Sequence, residues 1–193
     1  RAIPVRHIVG CVVHASCSVD EPGLVTRHFG NKLIIGEPSG EDSARVRALS
    51  KLLTEAGFEI EVSPRIQKDT WYKLWGNMST NPVSAITGAT TDKILADDLV
   101  REFTSRVMLE AREIGSRIGV PITQMPEDRH QVTRKLGAFR TSMLQDVEAG
   151  KSVELDAIVT VVKELGELTG VPTPFTDALL GLARLHARVH GLY

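Results

Sequence analysis

The N-terminal part of the chain has the hydrophobic pattern of short β-strands. Residues 7–18, HIVGCVVHASCS, are rich in β-branched and small side chains, and a turn at residues 21–23 leads into two more strand-like stretches, LVTRHFG and KLIIGEP. Residues 58–62, FEIEV, alternate apolar and acidic side chains, which predicts a short strand that joins the edge of the same sheet. A sheet this small, with open edges, is expected to belong to something larger.

Between and after these strands the apolar residues recur at the helical spacing. Val46, Leu49 and Leu53 fall on one face of a helix that follows Ser39, and Gly57 closes it. Further helices are predicted at residues 63–81, 97–118, 127–139, 154–168 and 174–189. In the first of these, Ser63 provides the cap and Pro64 the first-turn proline.

The helix over residues 97–118 has the clearest core face. Its apolar residues are spaced three and four apart, at Val100, Phe103, Val107, Ala111, Ile114 and Ile118. The chain as a whole therefore predicts a mainly α fold. We expect strands and one helix in residues 1–62 and a compact helical domain in residues 63–193.

Composition narrows the class of protein. With 42% hydrophobic and 24% charged residues the chain is expected to form an ordinary globular core, and a net charge of −1 argues against nucleic-acid binding. No apolar stretch approaches the ~20 residues that span a bilayer, and the first residues do not resemble a signal peptide. The two cysteines do not suggest a disulfide framework, so we expect a soluble protein in the reducing cytoplasm.

Two groups of residues could suggest a metal site. Cys11, His14 and Cys17 lie close together in sequence, but their odd spacing along a strand would put His14 on the opposite face from both cysteines. His186 and His190 are one helical turn apart, a pair that is more often found on a surface than bound to a metal. We therefore expect no metal.

A polar stripe lies along the predicted helix at residues 63–81. Lys73, Asn77 and Asn81 are four residues apart, so each step advances ~6 Å along the helix and turns only ~40° around it. These side chains could simply face water. However, asparagine is a poor helix former, so two on one stripe suggest another reason for their presence. Because the residue before a proline avoids the α conformation, we also expect the helix to bend or break at Asn81-Pro82 and expose backbone groups.

Three sequence blocks together resemble the ketopantoate reductase family. They are WYKLWGN followed by TNP, then SMLQD with an Ala-Gly and a Glu-x-Asp further on, and finally GVPTPFTDAL, in that order. The resemblance extends from about Gly23 to the end of the sequence. It implies a 6-phosphogluconate dehydrogenase C-terminal-like helical domain, preceded by a short β remnant of a Rossmann-type domain.

The resemblance also implies an activity, the NADPH-dependent reduction of ketopantoate to pantoate. By match to the family's motifs, Lys73 is the general acid and Glu154 its acidic partner, while Asn77, Asn81 and Ser142 bind the substrate. Simpler explanations remain open for two of them. Glu154 could be an acid that favours the positive end of a helix, and Ser142 could be a helix N-cap.

The cofactor motif of that family is missing from this sequence. No Gly-x-Gly-x-x-Gly occurs, so the chain resembles a fragment that is inactive alone and does not bind NADPH. A homodimer is the expected assembly. Two alternatives remain: a non-catalytic helical dimerisation module derived from this fold, or a reductase of another branched 2-oxo acid.

Overall fold

The computed structural model describes residues 3–193, with Asp20 described by its backbone alone. Packing divides the chain into two compact units, Arg1–Lys73 and Leu74–Tyr193. One helix, α2 (Ile66–Thr87), runs through the point of division. The expected division of function after residue 62 stays a prediction, and the two units are described separately below.

The first unit contains a three-stranded sheet. Strand β1 (Gly10–Glu21) pairs antiparallel with β2 (Leu24–Gly36), and β3 (Glu59–Val62) pairs parallel with β2 on its other side. The prediction that FEIEV joins this sheet is thus confirmed. The prediction of two separate strands between residues 24 and 36 was wrong, because β2 continues through Gly30. Gly30 has a φ of 69° and lies opposite an irregularity in the pairing of β1.

Helix α1 (Ala44–Glu55) connects the two parallel strands β2 and β3. The Ser43 hydroxyl accepts a hydrogen bond from the Val46 N–H and caps the helix, and Gly57 at φ 94° turns the chain into β3. A small core under this region includes Val12, Ile34 and Ile66. A short 3₁₀ turn at Val5–His7 precedes the sheet.

The second unit is helical. After α2 it contains α3 (Thr91–Ala96), α4 (Asp98–Arg117), α5 (Pro126–Arg134), α6 (Ser142–Glu148), a π-helical segment (Asp156–Thr160), α7 (Val161–Thr169) and α8 (Pro174–Val189). The mainly α fold is therefore confirmed. Helix α8 has the predicted bounds, and α4 begins after the N-cap Asp97, whose side chain accepts hydrogen bonds from two backbone N–H groups of the first turn.

Helix α2 departs from its prediction at both ends. It begins at Ile66 rather than at Pro64, because Ser63 and Pro64 form a turn in which the Ser63 hydroxyl accepts from the Arg65 N–H. The predicted break at Asn81-Pro82 is also wrong, since the helix continues to Thr87 with Pro82 inside it. Tertiary packing outweighs the local preference, because nearly all residues from Trp75 to Ala85 are buried.

Three other helical predictions need correction. Helix α3 is too short for a periodic signal and was not predicted. Helix α5 ends at Arg134 rather than Phe139, because the chain reverses at Gly137, which has φ 63°. The helix expected from residue 154 begins at Leu155, with the π-helical segment as its first part.

Candidate functional site

Lys73 lies on α2 and is held by the first unit's sheet. Its ammonium donates a hydrogen bond to the backbone carbonyl of Val13 on β1, at 2.7 Å. The side chain is half-buried. The hydrogen bond fixes the direction of the ammonium group relative to β1.

The two asparagines follow Lys73 on the same helix. Asn77 is half-buried, whereas Asn81 is only 5% exposed. Within residues 3–193, no hydrogen bond joins the Asn81 side chain to another residue. The amide atoms are not among the fully buried polar atoms that lack a partner, so they reach solvent although the residue as a whole is buried. Its donor and acceptor are thus left available for a small molecule.

Ser142 is the first residue of α6 and is exposed. The alternative that it caps the helix is wrong, because the neighbouring Thr141 accepts the hydrogen bond from the Leu144 N–H. Thr141 itself is buried. The Ser142 hydroxyl is not used by the cap and faces solvent.

Glu154 is also exposed and immediately precedes the helical segment. Its carbonyl accepts a hydrogen bond from the Ile158 N–H at 3.2 Å, so it lies just before the first helical turn rather than within it. On either side, Val153 and Leu155 are buried. The alternation directs the Glu154 side chain away from the core and into an open depression of about 540 Å³. Its lining residues are Ser152, Val153, Glu154, Asp156, Ala157 and Tyr193.

One hydrophobic cluster connects the segments that carry three of the candidate residues. Each of the three segments contributes a residue next to its candidate side chain. Ala85 lies one turn after Asn81, and Met143 follows Ser142. Val153 and Leu155 flank Glu154 and belong to the same cluster. The second unit therefore anchors these three segments in one core while Ser142 and Glu154 face outward. Lys73 lies on the same helix, α2, as the two asparagines, but it belongs to the first unit.

Sequence reasoning missed a polar group beside Glu154. One carboxylate oxygen of Asp156 accepts hydrogen bonds from the Tyr193 hydroxyl at 2.8 Å and from the Thr160 hydroxyl at 2.9 Å. These bonds, first that of Tyr193 and then that of Thr160, hold the pKa of Asp156 below its usual value. The Glu-x-Asp motif pointed to Asp156, but nothing in the sequence connects it with Tyr193.

The cysteines considered as metal ligands lie on β1, and the pair His186 and His190 lies at the end of α8. Among the described residues 3–193, no cluster contains three or more side chains of the kinds that bind metals. The rings of His186 and His190 stack at a centroid distance of 4.3 Å, and Cys11 and Cys17 are both free and exposed. Within the same residues, no helix is long and apolar enough to cross a bilayer.

Comparison with known proteins identifies the family. The family model described as ketopantoate reductase PanE/ApbA C terminal matches residues 65–187, which is more than half of the chain. The chain belongs to the ketopantoate reductase family. A 2-dehydropantoate 2-reductase from Mesorhizobium japonicum is 42% identical over 97% of this chain and 58% of its own length.

Solved structures of ketopantoate reductases share the fold. A candidate ketopantoate reductase from Ralstonia solanacearum superimposes with a TM-score of 0.95 at 53% identity, over 99% of this chain and 58% of that one. A dimeric ketopantoate reductase from Staphylococcus aureus, 21% identical, has a TM-score of 0.79 over 95% of this chain and 63% of that one, which shows the fold alone. The chain thus spans about 58% of the length of the first relatives it matches.

The loop between β2 and α1 carries the acidic residues Glu37, Glu41 and Asp42. Hydrogen bonds from Arg45 and Ser43 lower the pKa of Glu37 to about 2. Arg45 forms an ion pair with Glu37 and Arg47 forms one with Asp42, so two of the three carboxylates are paired with arginine.

Proposed function

We propose that this chain is the substrate-binding and proton-donating part of an NADPH-dependent reductase that converts ketopantoate to pantoate. Membership of the ketopantoate reductase family supports the reaction class. The observation that carries the proposal is on α2, where the Lys73 ammonium is held by a backbone carbonyl and the Asn81 amide makes no hydrogen bond to the described residues, although Asn81 is only 5% exposed.

Each candidate residue has a role that its chemistry allows. Hydride transfer to the 2-oxo carbon places negative charge on the ketone oxygen, and the Lys73 ammonium donates its proton there. Asn77 and Asn81 offer donors and acceptors that suit a substrate with a hydroxyl and a carboxylate. Ser142 binds the carboxylate, and Glu154 is the acidic partner of the ammonium and the substrate hydroxyl.

Steady-state kinetics of the natural full-length protein test the role of Lys73. We expect Lys73→Ala to lower kcat by about two to four orders of magnitude, the usual contribution of a positioned general acid. Lys51→Ala is the matched control, because Lys51 lies on α1 with a side chain 80% exposed. If Lys73→Ala kept the turnover of Lys51→Ala, Lys73 would not be the proton donor.

The nucleotide is expected to need residues beyond this chain. Because the Gly-rich motif is missing from this sequence, we expect no micromolar binding of NADPH by the 193-residue chain alone. Isothermal titration calorimetry measures this directly. Micromolar binding would show that the cofactor site has been misassigned and lies within these residues.

The sheet of the first unit supports a homodimer. Strand β1 lies at one edge of the sheet, and the β1–β2 hairpin exposes large apolar side chains, among them Val19, Leu24, Val25 and Phe29. Open edges with apolar side chains tend to pair with another chain. A second copy of this chain is the simplest partner.

A further inference from the structure

The direction of Glu154 is set by its neighbours and not by contacts of its own carboxylate. Within the described residues, no hydrogen bond or ion pair engages that carboxylate. The backbone around it is fixed instead, because Val153 and Leu155 are 8% and 1% exposed and belong to the same core cluster. Whatever holds the segment from Val153 to Asp156 therefore positions Glu154.

The segment Leu192–Tyr193 holds it from one side. The Val153 N–H donates a hydrogen bond to the Leu192 carbonyl at 2.9 Å, and the Leu192 side chain is buried in the cluster that contains Val153 and Leu155. Leu192 is itself anchored, since its N–H donates to the Ala187 carbonyl of α8 at 2.7 Å. These contacts fix the residue before Glu154.

Tyr193 reaches the other side of Glu154. Its hydroxyl donates to Asp156, two residues after Glu154, and the Arg188 guanidinium lies over the Tyr193 ring at 5.4 Å from the centroid. Tyr193 remains 44% exposed, so burial of its ring does not explain its position. The hydrogen bond to Asp156 is its specific contact with the Glu154 segment.

Asp156 begins the π-helical segment. The Val161 N–H donates to the Asp156 carbonyl, five residues back, which is the hydrogen bond of a π-helix. The π turn is less stable than an α turn and is common at functional sites. The Asp156 carboxylate, held by Tyr193 and Thr160, fixes the start of this turn and with it the backbone that carries Glu154.

We infer that Tyr193 is a positioning residue, whose hydrogen bond to Asp156 holds Glu154 in the direction that the reaction needs. This inference rests on the proposed function, in which Glu154 is the acidic partner of the proton donor. Tyr193 is not assigned a contact with the reacting atoms or with Lys73. Its effect passes through Asp156 and the segment that both share with Glu154.

Tyr193→Phe in the natural full-length protein is the direct test, since it removes one hydroxyl and keeps the ring. We expect kcat/KM for ketopantoate to fall about three- to tenfold, the effect of losing one hydrogen bond to a charged acceptor whose geometry matters. The melting temperature should stay within about 2 °C of the parent, because the bond is exposed. Thr169→Val is the matched control, since it removes a hydroxyl that donates to the Leu165 carbonyl at the end of α7.

A double-mutant cycle separates positioning from general stabilisation. In the Glu154→Gln background, Tyr193→Phe should have little further effect, because its role is exerted through Glu154. The inference fails if the decreases in kcat/KM caused by Tyr193→Phe and Glu154→Gln multiply independently in the double variant. It also fails if Tyr193→Phe has the same kcat/KM as Thr169→Val while Glu154→Gln is impaired. If Glu154→Gln itself keeps full activity, the proposed role of Glu154 fails as well, and that outcome is distinguishable from the other two.

Discussion

Replacing Asn81 by leucine is expected to separate stability from function. Asn81 is 5% exposed and its side chain makes no hydrogen bond with the described residues, but its amide atoms are not among the fully buried polar atoms without a partner and therefore reach solvent. The amide thus costs less than the about 1–3 kcal/mol of a fully buried unsatisfied group. Leucine has a similar size, adds apolar burial and is favoured over asparagine in a helix by a few tenths of a kcal/mol. Some of the gain is lost in repacking, so we expect Asn81→Leu to raise the unfolding free energy by no more than about 1 kcal/mol.

The same substitution should damage activity. If the amide contacts the substrate equally in the ground state and the transition state, its loss raises KM and leaves kcat nearly unchanged. The loss of one or two hydrogen bonds predicts an increase in KM of about ten- to a hundredfold. A more stable and less active variant is the behaviour expected of a residue retained for binding.

Urea unfolding and steady-state kinetics measure the two effects. Tryptophan fluorescence is a suitable probe, because Trp75 lies on the same helix, is fully buried and donates to the Met108 carbonyl at 2.7 Å. Asn77→Leu is the matched control, since that side chain is half-buried and can be hydrated, and we expect it to stabilise the protein less. The reasoning would be refuted if Asn81→Leu lowered the unfolding free energy by more than about 1 kcal/mol, or if KM did not change.

Three further predictions concern stability and assembly. The Glu37–Arg45 pair should contribute its full stabilisation of the first unit at pH values above 4.5, the ordinary pKa of the carboxylate. This contribution should be lost as the pH falls toward about 2, which an acid titration followed by circular dichroism would show. Gly166→Ala should destabilise the protein by about 1–3 kcal/mol relative to Gly181→Ala, as measured by urea unfolding. A new Cβ at position 166 would lie 2.6 Å from a buried methyl group, whereas a new Cβ at position 181 would meet no atom within 4 Å. The strand region at residues 7–36 should mediate self-association, and sedimentation that shows a monomer at all concentrations would contradict this.

The parts of the fold that were predicted well are those whose side chains follow a regular spacing over many residues. In α4, the predicted core positions Val107, Ala111 and Ile114 are fully buried. Helix α8 is bounded by Pro174 at its first position and has a continuous apolar face, so both ends were correct. Prediction from apolar spacing succeeds where a single face of a helix packs against the core, because buried apolar residues then recur at every turn.

The predictions that failed are those in which distant contacts outweigh a local preference. The rule that a residue before proline leaves the α conformation was applied correctly to Asn81, yet α2 continues through Pro82. In this region the helix is surrounded by core on several sides, with Trp75 and Met78 fully buried. The free energy gained by burying these large side chains exceeds the local cost of proline within the helix, which is a few kcal/mol or less.

The sequence could name the candidate site residues but not how they are held. Lys73 is oriented by a carbonyl that any residue at position 13 would provide, so no side-chain motif can signal the contact. Ser142 and Glu154 look like ordinary helix-end residues until the structure shows Thr141 as the cap and a π turn after Glu154. Resemblance to the family supplied their roles. The physical reason for their orientation comes from contacts that only the structure shows, such as the Val13 carbonyl beside Lys73 and the buried residues beside Glu154.

The location of these residues at segment ends follows from the energetics of the site. A side chain that must meet a substrate cannot be packed into the core, yet its backbone has to be rigid if its direction is to be fixed. Glu154 meets both requirements, because buried residues flank it while it faces the depression. Asn81 meets them differently, since the residue is 5% exposed on a continuous helix and its amide makes no hydrogen bond to the described residues. Because leucine can fill this largely buried position without loss of a protein hydrogen bond, Asn81 is the position at which exchanging a polar for an apolar side chain distinguishes a binding residue from a structural one.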